Sequence, residues 1–209
     1  VGWNAIKVAT AETILITSCY LHGALNSGMS GHPYLISVKG ATLLKVQDCE
    51  MTSPTFNEFL MKVASVDRMH FVRNNVHDSK GGLMTFDIPI KMKLLKICYN
   101  SMQNLVQGPL YQWWTQWIRN TGDFEHIIFN NNFVSSNSNV SGECIIKGGG
   151  FIDNFTTVNN IIIDKNSTSR LNIYSMTYIT NVVANNNIYK SPVGLTPFYW
   201  SLDNFGLTS

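Results

Sequence analysis

The sequence predicts an all-β protein, a parallel β-helix (solenoid) of about seven coils, and three observations support this prediction. A short phrase of apolar and polar residues recurs along the 209 residues at intervals averaging about 28 residues. Apolar residues alternate within the phrase with the period of a strand, whereas a helical period is nearly absent. The copies also place Asn repeatedly at one turn position, where its side chain can bond the backbone of the next copy.

Seven copies of the phrase define the predicted coils. They are ILITSCYL from Ile14, LKVQDCEM from Leu44, MHFVRNNV from Met69, LKICYNSM from Leu95, HIIFNNNF from His126, NIIIDKNS from Asn160 and NVVANNNI from Asn181. Their third residues are all apolar, as an inward strand position requires: Ile16, Val46, Phe71, Ile97, Ile128, Ile162 and Val183. Their sixth residues are Cys19, Cys49, Asn74, Asn100, Asn131, Lys165 and Asn186. We therefore expect a column of stacked Asn side chains at the turn.

A second, shorter strand is expected before the phrase. Val8, Val38 and Val63 each lie six residues before a copy, and small residues in between mark a bend. Each coil is therefore predicted to contain, in order, a strand, a bend, a second strand, an Asn turn and a loop. Residues 1–190 are expected to form the solenoid, with earlier coils or another domain upstream. Pro192 and Pro197 break the pattern, so residues 191–209 are expected to form a C-terminal cap or the passage to a further domain.

Composition excludes several classes of function. Only 13% of the residues are charged and the net charge is +2, which argues against nucleic-acid binding as the main function. No apolar run approaches the roughly 18–20 residues that a bilayer span needs, so we expect no membrane insertion. The four Cys form no C-x-x-C pair, and no nucleotide-binding motif is present, so no metal and no cofactor is predicted. The four thiols are expected to be buried and structural.

The periodicity and the Asn column resemble the right-handed parallel β-helix of pectate-lyase-like proteins, and within that family most resemble phage tailspikes and capsular-polysaccharide depolymerases. The resemblance covers about residues 5–190 and includes no catalytic motif. It implies a homotrimeric module, on a virion tail or otherwise extracellular, that binds a host cell-surface glycan and can cleave it as a hydrolase or a lyase. The alternative is a structural or adhesin β-helix of a virion or surface protein, without catalysis.

Two sets of residues are candidates for binding the glycan. The second residues of three copies are Lys45, His70 and Lys96, which parallel stacking would make neighbours about 4.8 Å apart. Two flanking ammonium groups disfavour a protonated His70, and the column fits either a cleft for an acidic sugar or a solvated strand face. The second set is the aromatic cluster of PLYQWWTQWI, which can stack on sugar rings or belong to the core. It comprises Tyr111, Trp113, Trp114 and Trp117.

The candidate catalytic groups are Asp123 and Glu125. Glycosidic cleavage usually needs two carboxyl groups about 5 to 9.5 Å apart, one acting as acid and one as base or nucleophile. Residues two apart on a strand point the same way and reach the low end of that range. Asp48 and Glu50 have the same spacing and are a weaker alternative. For a lyase, His70 or Lys96 would be the candidate base.

The last three copies are apolar at both outward positions, unlike the earlier ones. The residues concerned are Ile127, Phe129, Ile161, Ile163 and Val182. A contiguous outward apolar patch of this kind is unusual on a soluble monomer. Either a loop covers it or identical chains pack on it, which would place the interface of a homotrimer on the C-terminal half.

Overall fold

The computed structural model of the chain describes residues 5–23, 34–53, 59–79, 82–86, 91–105, 116–120, 123–136, 144–165, 171–192 and 195–200. These residues form 20 strands. The described part of the chain contains no helix, and hence none of the length and apolarity needed to cross a membrane. The prediction of an all-β parallel solenoid is confirmed.

The first four coils each contain a short strand, a long strand and a second short strand. Coil one consists of β1 (Ile6–Val8), β2 (Ala11–Thr17) and β3 (Tyr20–His22), and coil two of β4 (Ile36–Val38), β5 (Ala41–Gln47) and β6 (Glu50–Thr52). Coil three consists of β7 (Met61–Val63), β8 (Val66–Val72) and β9 (Asn75–Ser79), and coil four of β10 (Met84–Phe86), β11 (Lys91–Cys98) and β12 (Ser101–Leu105). Coil five consists of β13 (Gln116–Asn120), β14 (Asp123–Asn130) and β15 (Phe133–Ser136), which pair with the three strands of coil four. The later strands are β16 (Cys144–Val158), β17 (Ile161–Asp164), β18 (Leu171–Asn185), β19 (Ile188–Lys190) and β20 (Leu195–Trp200).

Strands of successive coils pair in parallel and form two sheets. The second short strands make a seven-stranded sheet in the order β19-β17-β15-β12-β9-β6-β3. The first short strands and the long strands form two further stacks, which become one 13-stranded sheet because β16 runs through both. The first part of β16 pairs with β13, and its last part pairs with β14. Gly148, Gly149 and Gly150, which the sequence predicts as a turn, lie within β16, at a shift of its register with β18.

A left-handed residue forms the corner between the long strand and the second short strand of every coil. The seven corner residues, with φ between 51° and 60°, are Ser18, Asp48, Arg73, Tyr99, Asn131, Asn159 and Asn186. Asn adopts this conformation more readily than other residues because its short polar side chain bonds locally. The corner turns the following side chain toward the interior of the solenoid.

The residues that follow the corners form the predicted Asn ladder. In Asn100, Oδ1 accepts hydrogen bonds from the backbone N of Asn74 at 2.9 Å and from its Nδ2 at 3.2 Å, while Nδ2 donates to the carbonyl of Phe71 at 3.0 Å. Asn132 and Asn160 repeat these contacts in the next two coils. A buried amide that bonds two coils satisfies the polar groups of a turn that faces the core.

The predicted register holds in the first four copies and is wrong in the last three. Backbone pairing aligns Ser101 with Phe133, then Ile161, then Ile188. The predicted alignment put Asn132, Asn166 and Asn187 at that position. In copies five and seven, runs of consecutive Asn made the phrase ambiguous, and a slip of one residue moves every side chain to the opposite face. Copy six was placed on the short strand β17 instead of a long strand, so Asn166 was predicted at the position that Ile161 occupies. The ladder therefore continues through Asn132, Asn160 and Asn187 instead of Asn131, Lys165 and Asn186.

The number of regular coils is also lower than predicted. About four turns, residues 5–105, combine the three-strand pattern with the predicted register. From β16 onward, the first short strand and the long strand merge into the 15-residue strands β16 and β18. The core remains continuous through this change: Phe71, Phe129 and Phe155 lie in it with at most 1% exposure.

Candidate functional site

A strip of basic side chains crosses the outer face of the long strands in coils two to four. Lys45 on β5 is the direct cross-strand partner of His70 on β8, which in turn pairs with Lys96 on β11. The residues before and after each of them are fully buried, so the three side chains point outward together. They are partly exposed. We call Lys45, His70 and Lys96 the basic strip; the neighbour relation predicted for them is confirmed.

Burial and the neighbouring positive charges both favour the neutral form of the His70 imidazole. Burial is the largest cause that lowers the pKa of His70, followed by the positive charges of Lys96, Lys45 and Arg68. The pKa of His70 is lowered as predicted, although burial contributes more to this shift than the two neighbouring ammonium groups do. Arg68 was missed from the sequence; it lies two residues before His70 on the same strand, which places it on the same face.

The ion pairs of the described residues do not include the side chains of the basic strip, although the charge of Lys45 contributes to lowering the pKa of nearby Asp48. These ion pairs are Arg73–Asp48 at 2.7 Å, His77–Glu50 at 3.1 Å, His77–Asp78 at 2.9 Å and Lys93–Asp67 at 3.5 Å. The two ammonium groups of the strip lie on either side of His70, about 9.6 Å apart at the usual strand spacing. No ion pair among the described residues neutralises either of them, so they repel each other. Such an arrangement attracts an anionic ligand, since a bound carboxylate or sulfate relieves the repulsion and accepts charge-assisted hydrogen bonds.

The aromatic cluster lies largely outside the described residues. This applies to Tyr111, Trp113 and Trp114. Trp117 belongs to strand β13, whose backbone pairs with β10 and β16. The prediction that the cluster stacks on sugar rings therefore stays a prediction.

Asp123 and Glu125 lie on β14, next to the last strand of the basic strip. They flank the inward residue Phe124, which is 2% exposed and packs edge-on against Phe86 at 5.5 Å between ring centroids. Asp123 is exposed, and its Oδ1 accepts a hydrogen bond from the backbone N of Phe151 at 3.2 Å. Glu125 is partly exposed. Both carboxyl groups are thus accessible on coil five.

The predicted apolar patch is wrong at two of its five positions. Ile127 and Phe129 are core residues with 1% and 0% exposure, because the last three copies were aligned in the wrong register. Ile161 and Val182 are exposed at 39% and 38%, and Ile163 is partly exposed. On the seven-stranded sheet, the structure instead aligns Phe133, Ile161 and Ile188 as an outward apolar column.

A second cluster of ionisable groups was missed from the sequence. The His77 imidazole bonds Glu50 of the preceding coil through Nε2 and Asp78 through Nδ1, and Asn104 Nδ2 donates to Asp78 at 3.1 Å. The hydrogen bond to Asp78, followed by that to Glu50, raises the pKa of His77, and the same bond with His77 lowers the pKa of Asp78. The register of the first four copies pairs His77 with Thr52 and not with Glu50, so the repeat alone did not indicate these bonds.

Asp48 and Glu50, the alternative catalytic carboxylates, are both bonded to side chains of the next coil. Glu50 is bonded to His77, and Asp48 forms a bidentate ion pair with Arg73, with both N–O distances at 2.7 Å. The Arg73 guanidinium lowers the pKa of Asp48. Both carboxylates therefore join neighbouring coils.

Cys19, Cys49 and Cys98 are free thiols. Cys49 and Cys98 are buried and Cys19 is partly buried. In the part of the chain that the structure describes, no three His, Cys, Asp or Glu side chains are grouped as metal ligands.

Neither a protein-family model, nor a curated protein, nor a solved structure matches the chain.

Proposed function

We propose that this chain is a glycan-binding module of the phage tailspike type, carried on a virion tail or otherwise outside the host cell. Its ligand is an acidic polysaccharide of the host surface. The observation that supports this function is the cross-strand register that aligns Lys45, His70 and Lys96 on one outer face. Lys45 and Lys96 lie two strands apart, about 9.6 Å at the usual strand spacing, so the two ammonium groups can engage two acidic groups of one extended chain.

The surroundings of the basic strip suit a sugar chain. Arg68 adds a fourth basic group, and its cross-strand partners are Leu43 and Leu94, which are partly exposed. Aliphatic side chains beside cations offer contact to the apolar faces of sugar rings, while the cations bond the acidic groups. Each exposed contact is weak, so useful affinity requires several of them along one polymer.

The binding experiment compares two double variants with equal loss of charge. Lys45→Ala with Lys96→Ala removes the ammonium groups of the strip, whereas Lys7→Ala with Lys39→Ala removes two exposed ones elsewhere. Calorimetry with an acidic and a neutral polysaccharide of similar length measures binding. We expect the first variant to bind the acidic polymer about tenfold more weakly, about 1.4 kcal/mol, and the second to bind it normally. Equal losses in both variants, or equal binding of the neutral polymer, would refute the proposed site.

Cleavage of the bound polymer is the second part of the proposal. A hydrolase would use Asp123 and Glu125 as the acid and the base or nucleophile. A lyase would use the neutral His70 as the base that takes the proton beside a uronate carboxyl group. Release of oligosaccharides, measured as reducing ends, should be lost in Asp123→Asn and Glu125→Gln for the hydrolase, and in His70→Gln, with unsaturated ends absent, for the lyase. Binding without any cleavage supports the structural or adhesin alternative.

The proposal includes lateral assembly of identical chains, as a trimer, through the outward apolar column of the seven-stranded sheet. Burying a side chain such as Ile161 or Ile188 is worth about 1.5–3 kcal/mol relative to leaving it in water. Replacing both with Lys should give a folded monomer in light scattering. A wild-type chain that is already monomeric would contradict this part of the proposal.

A further inference from the structure

The junction between the first two coils lacks the amide that joins the later ones. Cys19 and Cys49 occupy the ladder position in coils one and two. The backbone N of Cys49 receives a hydrogen bond from Asn74 Oδ1 at 3.0 Å, but Cys49 has no amide to offer to coil one. Its thiol donates only a long bond to the carbonyl of Ile16, at 3.7 Å. A thiol is a weak donor and a weak acceptor, so this junction is held less firmly than the others.

The two thiols are stacked in the same orientation. The next residues, Tyr20 and Glu50, are direct cross-strand partners, and the carbonyl of Cys19 accepts from Glu50 N at 2.9 Å. Each thiol donates to a carbonyl two residues earlier in its own coil, Thr17 at 3.3 Å and Gln47 at 3.2 Å. Parallel neighbours about 4.8 Å apart lie within the range of about 4.4–6.8 Å that disulfides span between Cα atoms.

We propose that Cys19 and Cys49 form a reversible disulfide that fastens the first coil to the second when the chain meets a small-molecule disulfide oxidant such as oxidised glutathione. Cys19, the more accessible thiol, attacks first as its thiolate: its sulfur bonds one sulfur of glutathione disulfide and releases one glutathione thiolate. The Cys49 thiolate then attacks the Cys19 sulfur and releases the second. The protein loses two electrons, which reduce the glutathione, and both thiol protons end on the released glutathione.

The environment of Cys49 sets the rate of the second step. Burial raises the pKa of this thiol, and the Cys19 thiol beside it adds to the effect. The thiolate is the attacking species, so closure of the disulfide should accelerate as the pH rises.

The weak junction is the place where such a link acts. At this turn position the two coils are joined by a backbone hydrogen bond and the long thiol bond, without a side-chain amide, and a junction with weaker bonds opens more often by local unfolding. A disulfide between residues 30 positions apart in sequence limits that opening, because it restricts the chain once the coil has separated.

The test treats the full chain with oxidised glutathione at about pH 8.5, near the ordinary pKa of a thiol, and maps the linkage by mass spectrometry of non-reduced peptides. We expect a single linked pair, Cys19 with Cys49. Hydrogen exchange of the coil-one amides, Ile6–His22, should slow by about tenfold or more on oxidation and recover with a reductant.

Variants distinguish the Cys19–Cys49 disulfide from non-specific oxidation of the thiols. Cys19→Ser changes a partly exposed thiol, should leave the fold intact, and should abolish both the linkage and the change in exchange. A stable glutathione adduct on Cys19 without closure, or a disulfide that involves Cys98 or Cys144, would overturn the pairing. A Cys19–Cys49 disulfide that leaves the exchange of coil one unchanged would overturn the proposed fastening.

Discussion

Asn74 and Asn100 occupy the same position in successive coils, and Nδ2 of Asn74 donates to Oδ1 of Asn100 at 3.2 Å. Both residues are only 2% exposed. Each amide also bonds the backbone of the coil before it, so one side chain satisfies donors and acceptors of two coils. In a buried network of this kind, removing one member leaves several partners without a hydrogen bond.

Asn74→Ala should therefore destabilise the protein strongly. It leaves the backbone N of Cys49 and the carbonyl of Val46 without their side-chain partners, at 3.0 Å each. Unpaired buried groups cost about 1–3 kcal/mol apiece, so we expect the free energy of unfolding to fall by about 2–4 kcal/mol in urea titrations. Asn75→Ala is the matched control, since Asn75 is exposed and its loss should change stability by less than about 0.5 kcal/mol. Equal effects of the two substitutions would contradict the ladder.

The register of coil five makes a second prediction. Phe129 is fully buried, whereas Ile128 is the outward cross-strand partner of Lys96. Phe129→Asp should abolish folding because it places an unpaired charge in the core. Ile128→Asp should keep a cooperative thermal transition, since the carboxylate points outward beside an ammonium group. If circular dichroism finds the opposite order of stability, the register of β14 is wrong.

The fold could be predicted from the sequence where the repeated phrase can be aligned in only one way. Val46, Phe71 and Ile97 are inward as predicted, because each of their copies has one clear strand and one clear turn. The slip at Phe129 arose where Asn130, Asn131 and Asn132 are all compatible with the turn position. Only the pairing of whole strands, a non-local property, decides between readings that differ by one residue.

In the candidate sites, too, some contacts could be predicted from the repeat and others could not. The neighbours Lys45, His70 and Lys96 followed from the repeat alone, since cross-strand partners share one position in the phrase. The bonds of His77 with Glu50 and Asp78 did not, because they join different positions of neighbouring coils. Such diagonal contacts depend on side-chain rotamers and on the left-handed backbone of Asp78, with φ 49°, which the periodicity does not specify.

The His77 cluster predicts a loss of stability at alkaline pH. Hydrogen bonds to Asp78 and then to Glu50 raise the pKa of His77 in the folded state. The protonated imidazole therefore stabilises the fold fully below its unfolded pKa of about 6.5, and this contribution is lost as the pH rises through the folded pKa. The three side chains are partly exposed, so the effect should stay below about 1 kcal/mol.

Urea titrations at about pH 6 and about pH 8 measure this contribution. His77→Gln should show a smaller decrease in stability between the two pH values than the wild type. His126→Gln, at an exposed position on β14, controls for the loss of an imidazole as such. A wild-type decrease that persists unchanged in His77→Gln would assign it to other groups.

Tyr99 is the corner residue least suited to its backbone, and this leads to the last prediction. Its φ is 60° and its side chain is 61% exposed, so no burial offsets the unfavourable left-handed conformation of a bulky residue. The later corners of the same column use Asn131, Asn159 and Asn186. Tyr99→Asn should therefore raise the free energy of unfolding in urea by about 1 kcal/mol, since left-handed backbone costs most residues about 1–2 kcal/mol and Asn less. Tyr99→Val, which adds β-branching at the same corner, should lower it; if Asn is no more stable than Val, the corner carries no backbone strain that a side chain can relieve.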